Sequence, residues 1–519
     1  MTPRLVPTLT PASAGALRAA LEGWTVDSVE AVIGERAARA FAREQVLPAR
    51  LAARASSLPA AVLTRLFLLG DAVTRAELDR TLPGVGTAGA VEAGLIETAG
   101  EGRDDAVRAL VDLRPYAAVG AGGEARWWVA SDRGEAVTGA RLREDHVLGI
   151  GGASLTLAGM TMRTPVGRVL DLGTGCGVQA LHASLHAREV VATDVSRRAL
   201  AFAAFNQALN AEALGAAALD TPWDLREGSM LDPVEGEQFD LVVSNPPFVI
   251  TPPGAPAFEY RAGGEAGDGI VAGLVSRVGS VLAPGGVAQL LGNWEVRGED
   301  WSEGLEAWLD ASAAAGRPLD AWVIERDRLD AAEYAETWLR DAGVIPERGR
   351  AEFEAAYRAY LEDFDARGVR SVGFGMVLLR RPVSGTPTLR RLEQHEGALQ
   401  EPFGAYLVDA LAAHDRVAAM SDGDVLATAW TAAPDVTRES YGPVLQADPS
   451  HLLLRQGAGL GRSVSMDTAL AGFVGACDGD LTAGQIAHAL AALLDVESDR
   501  MVAGLVPAIR ELVKDGFLA

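Results

Sequence analysis

Apolar and polar positions change rhythm twice along the chain. Up to about residue 140 apolar side chains recur every three or four positions, over Ala12–Glu22, Val29–Arg54 and Pro59–Leu69. That spacing places them on one stripe of a helix. In "VTRAELDRTL" Thr74 is placed to cap a further helix, with Glu77 at the capping-box position. "VEAGLIETAG" and "ARWWVASD" alternate instead and predict a short strand pair. Helices followed by a small hairpin predict a winged-helix-like module over residues 1–140.

Over residues 141–383 the rhythm becomes strand, helix, strand. Strands are predicted at Arg168–Leu172, Glu189–Thr193, Phe239–Ser244, Val287–Leu291, Asp320–Glu325 and Gly373–Arg380, with helical patterns in most gaps. Such alternation builds an α/β domain with a mainly parallel sheet covered on both faces. Ligands of such sheets bind beyond the carboxyl ends of the strands, near a switch point. "PVSGTP" (Pro382–Pro387) reads as a linker. After it, Ile486, Leu490 and Leu494 share one helical face, as do Leu505, Ile509 and Leu512, and "HLLLRQG" is strand-like. Residues 384–519 are thus expected to form a second, acidic winged-helix-like domain.

Length and charge narrow the picture. A chain of 519 residues exceeds one core and suggests two to four domains. No apolar run reaches the ~18 residues of a membrane span, and "MTPRLVPTLT" lacks a signal-peptide stretch. Cys176 and Cys477 have no disulfide or metal spacing, and neither do His395, His414, His451 and His488. A cytoplasmic protein without a metal site or membrane contact is expected; the oligomeric state stays open. The net charge is −24, whereas a grip on naked nucleic acid needs a basic field. The deficit is uneven: residues 1–140 hold 15 Arg against 17 acids, residues 385–519 9 basic residues against 18 acids. The N-terminal module is therefore the better candidate for contact with RNA or DNA, or it serves only to pack.

"RVLDLGTGCGVQAL" is strand, glycine turn, helix. Gly173, Gly175 and Gly177 allow a sharp turn and close approach of a ligand to the backbone. Asp171 precedes the turn, and "EVVATD" ends in Asp194, where a carboxylate can accept two ribose hydroxyls. "VVSNPPFVI" runs an apolar strand into Asn245-Pro246-Pro247-Phe248. Proline donates nothing to a ladder, so the strand ends at Ser244. The Asn245 side-chain oxygen and the Pro246 carbonyl are two acceptors fit to hold the N–H bonds of a planar NH₂ group. Phe248 offers that group a face or edge. This is catalysis by positioning and fixed dipoles.

These motifs resemble the class I S-adenosylmethionine-dependent methyltransferases over residues 141–383, and so imply a Rossmann-like sheet of that class. The resemblance implies S-adenosylmethionine as cofactor. Asp171 then lies near its methionine amino group, and Gly173, Thr174, Gly175 and Gly177 pass beneath it. Asp194 takes the ribose, while Ser229 and Met230 of "REGSML" take the adenine edge. Asn245 borders both cofactor and substrate, and Asn245, Pro246, Pro247 and Phe248 are the implied catalytic set. "FDLVVSNPPFVI" and "GEAGDGIVAGLVSRVGSVLAPGGVAQLL" are similar to the HemK/PrmC glutamine-N5 methyltransferases and the wider methyltransferase small domain family. Three departures stand out. Phe248 replaces the usual HemK tyrosine, and Ser229 stands where relatives often carry Asp. "DHVLGIGGASLTLAG" replaces an Ile-Pro-Arg-Pro segment, with Ser154–Leu157 as candidate lid residues. Tyr260 and Arg261 are candidate gates, and Asn293 or Trp294 a candidate pocket wall. The implied enzyme is an N-methyltransferase acting first on a protein glutamine. An amino group of an RNA or DNA base is the alternative, and a non-catalytic binding protein on the same fold is the third reading.

Overall fold

Thr10, Thr25 and Thr74 each begin a helix by the same device. The threonine side chain accepts the backbone N–H three residues on, and the side chain of Ser13, Ser28 or Glu77 accepts in return. The structure, a computed structural model, describes residues 6–120, 123–140, 142–211, 223–253, 267–445 and 449–519. It divides into two units: Met1–Ala158 with Pro165–Pro387, and Gly159–Thr164 with Thr388–Ala519.

In the first unit the N-terminal helices are Pro11–Leu21, Val26–Phe41 and Val46–Ala55. The single helix expected over Val29–Arg54 is broken: Gly34 (φ +75°) kinks it and Glu44 (φ +62°) stands left-handed in the gap. Strands β1 (Val73–Thr74), β2 (Ile96–Thr98) and β3 (Ala106–Ala109) form an antiparallel sheet in the order β1-β3-β2. Helices Arg75–Thr81 and Gly86–Glu92 lie between β1 and β2 in sequence, giving the strand, two helices and hairpin of a winged helix. The expected pairing of "VEAGLIETAG" with "ARWWVASD" is not observed. β2 pairs with β3 across a turn closed by Asp105, which accepts the Gly102 N–H (2.7 Å). The Trp127-Trp128 strand, β5 (Gly123–Ser131), pairs with β4 (Asp112–Gly120).

The main sheet of this unit holds β6 (Val166–Leu172), β7 (Ala187–Asp194), β8 (Asp224–Glu227), β9 (Phe239–Ser244), β10 (Leu282–Val296), β11 (Asp320–Asp330) and β12 (Ser371–Arg380). Their order is β8-β7-β6-β9-β10-β12-β11. The first five are parallel, while β12 runs antiparallel to both β10 and β11. The order reverses between β6 and β9, which opens a crevice at their carboxyl ends. β10 is far longer than its apolar run. Leu290 pairs with Ser244, so Leu291–Val296 overhang the end of β9 and pair only with β12. Helices Ala331–Asp341 and Pro346–Arg367 are inserted between β11 and β12. Tyr334, Leu339, Tyr360, Phe364 and Val372 form a small core there, and Ile250 joins it from the loop after β9.

The second unit contains helices Phe403–Ala419 and Asp422–Ala427, and an antiparallel sheet of Thr437–Tyr441, His451–Arg455 and Ser463–Met466. Helices Thr468–Gly475, Ala483–Leu493 and Ser498–Lys514 follow, packed on Trp430, Phe473, Ile486, Ile509 and Phe517. No helix among the described residues is long and apolar enough to cross a membrane.

Candidate active site

The glycine turn after β6 is left-handed at Gly173, Gly175 and Gly177 (φ +74°, +55° and +86°). The Gly173 and Thr174 N–H groups both donate to the Thr193 carbonyl (2.9 Å), tying the turn to the end of β7. The glycines differ in what surrounds them. A Cβ on Gly173 or Gly175 would meet nothing within 4 Å among the described residues, whereas one on Gly177 would stand 2.9 Å from the Trp223 ring and 3.3 Å from the Ala203 backbone. The first two line a cradle; the third lets helix Arg197–Asn210 come close.

Asp171 is buried beneath the turn. Its Oδ2 accepts the Thr174 hydroxyl (2.6 Å) and the Ala180 N–H (2.9 Å). Burial pushes its pKa up to about 7, and the nearby Asp194 charge adds to the rise, against the pull of those two donors. Asp194 spans the end of β7: Oδ2 accepts the Gly175 N–H and Oδ1 the Ser196 N–H, each at 2.9 Å. Its carbonyl accepts the Gly228 N–H (3.0 Å), which leads to exposed Ser229 and half-buried Met230 beyond β8. Met230 is left-handed (φ +49°), so the chain turns sharply there.

At the tip of β9 the Ser244 hydroxyl donates to the Leu172 carbonyl (2.8 Å) and clamps β9 to β6. Asn245 follows. Its Oδ1 is buried and finds no donor among the described residues. A buried, unsatisfied acceptor costs about 1–3 kcal/mol, so a native chain that keeps one invites a ligand's N–H there. Pro246 is buried, and Pro247 and Phe248 are half-buried. The fold thus sets the Asp194 tip, the Asp171 turn and Asn245 at the carboxyl ends of adjacent strands β7, β6 and β9.

The remaining candidates sort by location. Asn293 and Trp294 lie on the overhang of β10 and are both buried. The Trp294 indole donates to Glu325 (2.8 Å). Asn293 Nδ2 donates to the Tyr334 hydroxyl (3.2 Å), and its Oδ1 has no donor among the described residues. Ser154–Leu157 fall on helix Gly152–Met160, where the Ser154 carbonyl accepts Gln179 Nε2 (2.8 Å) from the helix after the glycine turn. Tyr260 and Arg261 lie outside the described residues.

Asn206 carried no recognised signal. Its Nδ2 donates to the Cys176 carbonyl in the glycine turn (2.7 Å) and to the Ala130 carbonyl (2.9 Å), while its Oδ1 accepts the Ala130 N–H (2.7 Å). Asn210, one turn on, holds the Trp128 N–H and carbonyl (both 2.9 Å) in the same way. The signal was two amides spaced i, i+4 among the apolar residues of "FAAFNQALN".

A parallel sheet with one antiparallel strand, β12, set between β10 and β11, a glycine turn after β6 and an acid at the tip of β7 define a class I methyltransferase fold. Residues 151–301 match the methyltransferase small domain family. Residues 21–110 match a domain of unknown function, DUF7059. A release factor glutamine methyltransferase of Deinococcus radiodurans is 39% identical over 133 residues, 24% of this chain and 44% of its own length. A ribosomal protein uL3 glutamine methyltransferase of Bradyrhizobium diazoefficiens is 31% identical over 176 residues, 32% of this chain and 52% of its own. The chain spans about half the length of the curated relatives it matches. A solved methyltransferase from Pyrococcus furiosus aligns with 44% of this chain and 82% of its own, at 14% identity and a TM-score of 0.25.

Proposed function

We propose that the chain is an S-adenosylmethionine-dependent N-methyltransferase whose acceptor is a protein glutamine side chain. The observation that carries this reading is the buried Asn245 Oδ1 at the tip of β9, which has no donor among the described residues. It fits an acceptor group that brings its own N–H bonds. The open cradle at Gly173 and Gly175, with Asp171 below it and Asp194 at the neighbouring tip, fits the cofactor. When bound, the cofactor supplies an electrophilic methyl group on a sulfonium.

The chain's own residues do the rest by positioning. An amide nitrogen is a poor nucleophile because its lone pair is delocalised. Asn245 Oδ1 and the Pro246 carbonyl accept its two N–H bonds and turn the lone pair toward the methyl group. The prolines restrict the backbone, so the second acceptor is set in advance. Phe248 packs on the planar group. Gly173 and Gly175 let the backbone approach the cofactor, Asp171 faces its amino group and Asp194 its ribose; Ser229 and Met230 border the adenine. The names of the matching relatives, glutamine methyltransferases of a release factor and of a ribosomal protein, favour glutamine over a base.

The test is methyl transfer from labelled cofactor to purified release factor, ribosomal protein uL3 and total RNA in parallel. Label on a glutamine side chain is expected. Label in RNA alone would transfer the reaction to a base amino group. The absence of both transfer and cofactor binding would leave only a binding protein.

A further inference from the structure

Pro246 and Pro247 have no N–H, so the stretch that carries Asn245 enters its loop without two backbone donors. Its anchor is Ile250. The Ile250 N–H donates to the Tyr334 hydroxyl at 2.8 Å, and its side chain is 1% exposed. Tyr334 belongs to Ala331–Asp341, the first inserted helix, and is itself 0% exposed. Its ring stacks on Phe374 of β12 (centroids 5.8 Å apart, planes at 21°) and meets Phe364 edge-on (5.6 Å, 72°). The same hydroxyl accepts Asn293 Nδ2 (3.2 Å) from the overhang of β10. One oxygen therefore ties the loop, a strand and an inserted helix together. A short hairpin turn is enough to join antiparallel neighbours such as β11 and β12. The helices found in its place set an aromatic core against Ile250.

We propose that Tyr334 is a positioning residue, whose hydroxyl fixes the Asn245–Ile250 segment so that the two acceptors meet the substrate nitrogen in register. This rests on the proposed role of Asn245. Tyr334 touches neither cofactor nor substrate; it acts through the loop.

Tyr334→Phe keeps the ring and its stacking and removes only the oxygen. Hydrogen exchange on the full chain gives a readout that needs no substrate. The Ile250 amide, in the peptide Val242–Pro253, is expected to exchange roughly tenfold faster, while Asp320–Ile324 of β11 stays as protected as before. No acceleration at Ile250, or equal acceleration in both segments, would overturn the assignment. In methyl transfer from labelled S-adenosylmethionine to purified release factor, kcat is expected to fall about tenfold or more. KM for the release factor and the cofactor Kd should stay within about twofold. Added to Asn245→Ala, the change should cost nothing further, because both act on one element. A rise in KM alone, or fully additive losses, would equally defeat it. Wild-type turnover in Asn245→Ala would instead count against the reading of Asn245, and exchange at Ile250 would then decide for or against the anchor.

Discussion

At the scale of single residues, the candidate site holds polar groups that the described residues leave unmet or held at a raised pKa. Asn245 Oδ1 is buried without a donor among the described residues, which costs stability; in the proposed function it serves a bound N–H. Asn245→Ala should therefore lower kcat by roughly 10²–10³, by analogy with the loss of one preorganised hydrogen-bonding group. The melting temperature should hold or rise, and the cofactor Kd should change little. Steady-state kinetics beside calorimetry checks both; near-wild-type turnover would remove Asn245 from the site. Asp171 supplies the pH dependence. Burial raises its pKa from 3.8 to about 7, so between those values the folded state holds a proton that the unfolded chain has released. Its contribution to stability therefore falls as pH rises toward about 7 and stays lost above it. A cationic amino group beside it works in the opposite direction, because it favours the ionised carboxylate. Cofactor affinity should rise with pH up to about 7, at most tenfold per unit, and decline once an α-amino group deprotonates near ~8. Titration calorimetry from about pH 5.5 to about 8.5 would show the rising limb, and Asp171→Asn should flatten it. A limb that persists in that variant belongs to another group.

At the scale of elements, the strands that carry the site were the legible ones. The cores of β6, β7 and β9 are buried on both faces, so their sequences read as apolar runs ending at Leu172, Asp194 and Ser244. Asp171, Asp194 and Asn245 stand at or beside those ends. β8 was not legible: "DLRE" is a half-exposed edge strand without an apolar signal. The apolar run does not show the overhang of β10 because Asn293 and Glu295 interrupt it; Asn293 Nδ2 is met by Tyr334, and Glu295 by Arg297 and Arg367. The pairing of β2 with β3 rather than β5 goes with the short turn that Asp105 closes, and periodicity does not carry that. Nor does it reveal that Asn206 joins β5 to the glycine turn. Asn206→Ala would strip partners from the Ala130 N–H, the Ala130 carbonyl and the Cys176 carbonyl. At about 1–3 kcal/mol for each buried group left unpaired, the loss should reach several kcal/mol. A lower urea midpoint with an unchanged m-value is the expected signature, together with weaker cofactor binding as the turn loosens. A midpoint within experimental scatter of the wild type would mean that water replaces the amide.

For the whole molecule the deciding property is charge. A net charge of −24 repels a phosphate backbone at long range, and the near-neutral residues 1–140 do not reverse that field. The winged-helix arrangement of β1–β3 is a shape that nucleic-acid-binding modules share with modules that only pack, so shape does not separate the two acceptors. Salt does. An enzyme that neutralises six to ten phosphates loses about 10³–10⁵ in affinity between about 50 and 200 mM salt. With a protein acceptor, the KM for release factor should change by less than about tenfold across that range, since the methyl-accepting contacts are short dipolar ones that salt screens little. Binding of total RNA, followed by fluorescence anisotropy at about 50 mM salt where electrostatic attraction is strongest, should be undetectable at micromolar protein. Tight RNA binding that collapses at the higher salt would reassign the N-terminal module to holding a strand, and with it the acceptor to a base.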